Sequence, residues 1–134
     1  MAAPAARPRR TYAEVDAIAA KLPVGRYALP RTKASEAGNT ITFFEIRKVQ
    51  GANRIVQLVG GVGDFTRQSL PLELQFFALL HIGEDITSAA ALYGKEAHAC
   101  GFCAARGRFS PLTNDRSRKA GYGEHCAKKH GLPW

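Results

Sequence analysis

Apolar positions along the chain change their period twice, and the changes mark out its elements. Between Tyr12 and Leu22, Val15, Ile18 and Leu22 fall on one helical face. Thr11 and Glu14 form the T-x-x-E signature of a capping box at the start of this segment, and Pro23 ends it. From Gly25 the pattern turns to β-formers. Gly25 to Leu29 is a short strand, Gly38-Asn39 a turn, and Thr40 to Val49, with Ile41, Phe43 and Phe44, the strongest strand signal. Gly51-Ala52-Asn53 turns the chain into Arg54 to Val59, and Gly60 to Asp64 turns it again into a weaker strand at Phe65 to Ser69. Gly60-Gly61-Val62-Gly63 matches neither phosphate-loop spacing, so it reads as a hairpin turn.

Helical spacing then returns. Ser69 and Pro71 suit a helix start, and Leu72 to Ile82 is dense with Leu74, Phe76, Phe77, Leu79 and Leu80 before Gly83 breaks it. Asp85 caps a second helix whose Ile86, Ala89, Ala90 and Tyr93 share a face, and Gly94 stops the run. Phe76, Phe77 and Tyr93 read as core residues. The expected fold class is α+β: a small antiparallel β-meander with packed helices and a C-terminal module of zinc-knuckle or treble-clef type. Its parts are a flexible basic arm at 1–10, an α+β domain at 11–94 and a zinc-binding module at 95–134.

With 134 residues and 46% hydrophobic content, the chain is sized for one compact domain with a small appendage. No stretch reaches the roughly 18 apolar residues that a membrane span needs. Met1 to Arg10 is rich in Ala, Pro and Arg but has no apolar h-region, so the expected location is cytoplasmic. The formal charge of +8 is unevenly distributed. Residues 1–33 carry seven Lys/Arg against two acids, residues 34–94 four against six, and residues 95–134 eight against three. A basic excess at the two ends favours a polyanionic partner.

All three cysteines lie in the last 35 residues, and an odd number leaves a disulfide scheme incomplete. The pattern is Cys100-x2-Cys103, then 22 residues, then Cys126-x3-His130. A C-x2-C pair bends the backbone so that both thiolates face one ion, and structural zinc takes four such ligands. If the segment after Cys126 is helical, His130 lies one turn on along the same face, which makes it the preferred fourth ligand. His98, His125 and a non-histidine group stay open as alternatives. His81, inside an apolar run, reads as a packed or edge histidine.

Between the two halves run Leu112, Thr113, Asn114, Ser117, Gly121 and Gly123. Together with the cysteines they give C-x2-C, then L-T-N/D, then S-x3-G-x-G-x2-C. This pattern resembles a phage and actinobacterial family of uncharacterised small zinc-binding domains, over roughly residues 90–134. The chain departs from it in two places: a longer basic insert, Ala104 to Pro111, and Glu124 where the family tends to have proline. The resemblance implies a small zinc module of phage type acting in a host cytoplasm, and it brings no established activity. Gly121 and Gly123 read as turn residues ahead of a ligand, and Ser117 as a local cap.

A structural zinc with Arg106, Arg108, Arg116, Arg118, Lys119, Lys128 and Lys129 around it suits a nucleic-acid-binding factor, for DNA or RNA. The alternative is a protein-interaction module that docks on a host enzyme or complex through the terminal Gly131-Leu132-Pro133-Trp134 and the basic arm. An enzyme is disfavoured. The chain lacks H-E-x-x-H, G-x-S-x-G and the H-x-E with P-C-x-x-C arrangement of zinc deaminases, and no small-molecule substrate is evident.

Overall fold

A computed structural model describes residues 11–30 and 41–134. The basic arm and the Gly38-Asn39 turn lie outside these residues. Thr11 Oγ1 accepts from the Glu14 N–H and starts α1, Tyr12–Ala19. The last expected turn, to Leu22, is present only as tighter bonds from Lys21 to Ile18 and from Leu22 to Ala19. Four strands follow: β1, Gly25–Pro30; β2, Ile41–Val49; β3, Ala52–Val59; and β4, Thr66–Gln68. They form one antiparallel sheet in the order β1-β2-β3-β4, the meander read from the sequence. The β2–β3 loop sits one residue earlier than the glycine pattern suggests. Val49 pairs with Ala52, and Gln50 and Gly51 both take positive φ, as a two-residue primed hairpin requires.

The centre of β2 buries Phe44, Glu45 and Ile46 in succession because both faces of the sheet are covered. On one face Tyr27, Phe44, Ile46 and Ile55 join Val15 of α1 and Leu79 and Ile82 of α2, Leu72–Glu84. On the other, Ala28 and Leu58 meet Tyr93 and Ala97 of α3, Ile86–Ala97. Glu45 is fully buried on this second face. It accepts from Arg26 Nε at 2.7 Å and from Arg67 Nε at 2.6 Å, so both its oxygens are engaged and the carboxylate ties β1 and β4 to β2.

Neither helix of the pair ends where its glycine suggests. α2 runs past Gly83 to Glu84, and Asp85, which accepts from the Ser88 N–H and hydroxyl, both stops it and caps α3. Phe77, read as core, is half exposed on the outer side of α2. α3 runs through Gly94 to Ala97 and ends on His98 in the left-handed conformation.

Three short helices complete the chain: α4, Gly101–Ala104; α5, Asp115–Ala120; and α6, Glu124–His130. Asn114 and Ser117 form a reciprocal capping box on α5, which gives buried Ser117 its turn role. The C-terminal segment shares its core with the sheet, since Phe102, Leu112, Tyr122 and Ala127 belong to the same buried cluster as Tyr27 and Ile46. Gly94 is what allows the approach. A Cβ there would stand 1.6 Å from the Gly121 carbonyl oxygen, and Gly121 itself needs its positive φ of 85° to close α5. Gly94→Ala should therefore cost at least about 2 kcal/mol in urea unfolding. Gly61→Ala, where a Cβ meets nothing within 4 Å, should shift stability by no more than about 0.5 kcal/mol.

Candidate metal centre

Cys100 is the N-cap of α4 and Cys103 lies within that helix, so a single turn carries both thiols to one side. The turn is held by bonds from the Ala104 N–H to the Cys100 carbonyl and from the Arg106 and Arg108 N–H groups to the Cys103 carbonyl. A short hairpin closes behind it, through an Ala99–Pro111 bridge with Cys100 N–H donating to Ser110 and Leu112 N–H to His98. Cys126 comes from the opposite side, on the inner face of α6. Sulfurs from two elements, 23 positions apart in sequence, thus meet with Cys103 and Cys126 Sγ at 3.7 Å.

The three sulfurs lie within 4.8 Å of one another. A tetrahedral ion bound by thiolates at about 2.3 Å sets neighbouring sulfurs about 3.8 Å apart, so the spacing suits one shared metal ion. Cys100 and Cys126 are buried and Cys103 is half-buried, so bulk water gives a charged cluster little help. Burial, followed by the proximity of Cys100 and Cys103, pushes the Cys126 thiol up to about 12. For Cys103, burial works the other way from the net result. Hydrogen bonds involving Cys126, Ser110, Cys100 and Arg106 outweigh it and hold this thiol below its ordinary range. One ionised sulfur thus suppresses ionisation of the next, and a bound cation is what would let all three lose their protons.

Around the cluster, Phe102 sits between the two knuckle cysteines and is buried. Its ring meets Tyr27 and Tyr122 edge-on, and His130 stacks on it with ring centroids 4.6 Å apart. Segment 124–130 is helical, so His130 follows Cys126 by one turn as expected. Among the described residues, the group within mutual ligand distance comprises the three cysteines and does not include His130, whose ring stacks on Phe102. Burial, then the charges of Lys129, Arg106 and His125, hold His130 below its ordinary value, which favours the neutral, ligand-competent imidazole. His98 and His125 are exposed. His81 is exposed at the rim of a cavity lined by β1 and α3, an edge position and not a packed one, with Glu84 3.6 Å away.

The seven cations named from the sequence lie on exposed positions of this segment. Arg106 reaches back to Cys126 Sγ at 3.8 Å, a link that spacing alone did not reveal. Arg116 lies over the Trp134 ring, 4.9 Å from its centroid, and bonds the Trp134 carbonyl. Arg118 donates to the Leu112 carbonyl. The tail packs onto the core through Leu132 and Trp134, with Tyr122 Oη donating to the Pro133 carbonyl. Lys95 was missed by reading charge within the cysteine segment. It lies on α3 and lines, with Arg116, Lys119 and Trp134, a groove of about 500 Å³ between α3 and α5. No helix of the described residues is long and apolar enough to cross a membrane.

Because the Cys126 thiol is raised, metal binding must displace at least its proton across the neutral range. Affinity in competition with a chromophoric chelator, corrected for the chelator's own protonation, should rise at least about tenfold per pH unit between about pH 6 and 8. A flat profile would contradict thiolate ligation. Comparison with family models, with curated proteins and with solved structures gives no match.

Proposed function

We propose that Cys100, Cys103 and Cys126 hold a structural zinc ion with His130 as fourth ligand, and that the surface around it binds nucleic acid. Three thiolates with one imidazole are a donor set that zinc favours over harder cations. The resemblance of residues 90–134 to the phage and actinobacterial zinc-binding domains agrees with this choice. The ion's role is to fold the segment, because α4, α5 and α6 are too short to persist alone.

The observation that carries the nucleic-acid reading is the distribution of charge around this centre. Eight Lys/Arg face three acids over residues 95–134, and all eight are exposed, three of them on α5. The groove between α3 and α5 adds a path walled by Lys95, Arg116, Lys119 and the Trp134 ring, a combination suited to a phosphate backbone. Zinc hardly alters the balance, since three thiolates exceed its charge by one.

A second reading, docking on a host protein, is favoured by a different surface. Leu74, Phe77 and Leu80 are exposed at three-residue spacing along α2. The Gly131–Trp134 tail, the other candidate for docking, has its tryptophan packed under Arg116.

Fluorescence anisotropy with labelled DNA and RNA tests the first reading. Affinity should fall at least about tenfold between about 50 and 200 mM salt. Lys128→Ala combined with Lys129→Ala should weaken binding of every sequence alike and reduce the salt slope by about 2. Absence of binding at low salt would overturn the nucleic-acid assignment and leave the protein-docking reading.

A further inference from the structure

Phe109 is the most exposed of the large apolar side chains in the described structure, at 83%. A phenylalanine left in water forgoes about 1.5–3 kcal/mol of burial. Phe102, seven positions earlier, lies in the core at 1% exposure. Local slackness does not account for the contrast, because hydrogen bonds fix the chain on both sides of Phe109. Before it, Arg106 and Arg108 N–H donate to the Cys103 carbonyl and Gly107 N–H to the Ala104 carbonyl, each at 3.0 Å. After it, Cys100 N–H donates to the Ser110 carbonyl at 2.9 Å, and the Ala99–Pro111 bridge closes the hairpin. Gly107 reverses the chain between the two arginines with φ of 79°, a conformation that L side chains rarely adopt. The loop is built to hold the ring outward.

The two arginines divide the work. Arg106 turns in toward Cys126 Sγ and anchors the loop to the sulfur cluster. Arg108 is exposed beside Phe109 with no acidic neighbour within the segment Ala104 to Pro111. The loop therefore exposes a flat apolar ring and, one residue away, a cation, on a support tied to the cysteine segment by hydrogen bonds. In double-stranded nucleic acid the base faces are covered by stacking. In a single strand they are open, and every base offers a face of this kind to an aromatic ring with a cation for the adjoining phosphate.

We propose that the loop Arg106–Phe109 is a single-strand-binding element, in which Phe109 stacks on an unpaired base and Arg108 contacts the neighbouring phosphate. This deepens the nucleic-acid reading and rests on it. A protein contact at Phe109 is the competing use of the same ring, and it predicts no preference between nucleic-acid forms.

The test is anisotropy at low salt, with a labelled single-stranded oligonucleotide and the duplex of the same sequence. Wild type should prefer the single strand. Phe109→Ala should weaken single-strand binding about 5- to 150-fold, the value of one lost base stack, and leave duplex binding within about twofold. Phe109→Trp should restore the preference, with its indole emission quenched by the single strand. The ring packs on nothing that the fold needs, so unfolding temperatures of the variants should match wild type. Equal binding of both forms by wild type, or single-strand binding unchanged in Phe109→Ala, overturns the inference while the basic-surface reading stands. Failure of wild type to bind either form removes both.

Discussion

Three sulfur atoms within 4.8 Å of one another, two of them on buried residues, resist losing more than one proton. Burial first, and then the neighbouring sulfurs, raise the Cys126 thiol. A divalent ion would turn the repulsion into attraction. Such an ion would tie a four-residue helix to a seven-residue one across a connection that contains α5. Phe102, His130, Tyr122 and the Arg106–Phe109 loop are arranged around those sulfurs by ring contacts and hydrogen bonds.

The tie is not the segment's only support. Phe102 leaves the sulfur cluster to meet Tyr27 of the sheet, and Gly94 and Gly121 bring α3 and α5 together backbone to backbone. The cysteine segment thus uses the sheet's core instead of building a second one. Glu45 plays a comparable part inside the domain, since one buried carboxylate facing two arginines fixes three strands against one another. Removing a single partner there would strand a charge, so the network specifies the packing more than it adds net stability.

Much of this was legible in the sequence, for identifiable reasons. The meander, the cap at Asp85 and the cysteine pairing rest on local rules, namely period, capping chemistry and ligand spacing, which require no knowledge of the tertiary fold. The errors arose where a residue answers to a distant partner. Gly94 reads as a helix stop but is a contact point for Gly121, which lies 27 positions away. Phe77 reads as core because its neighbours are apolar, yet α2 turns it outward. Glu45 sits in a run of β-formers with nothing local to announce Arg26 and Arg67. Phe109 was hidden by its setting, a basic turn with no apolar period, and only its exposure on a tied loop marks it out.

Function follows from what this scaffold displays. The three cysteines are buried or half-buried, whereas the cations around them and Phe109 are exposed. The proposed role of this segment requires the three cysteines to be a loaded metal site. Zinc-edge X-ray absorption of the purified protein examines that claim at the ligands themselves. The account predicts about one zinc per chain in a four-coordinate shell of three sulfurs at about 2.3 Å and one nitrogen at about 2.0–2.1 Å. Less than about half a zinc per chain, or a shell without sulfur, would contradict it.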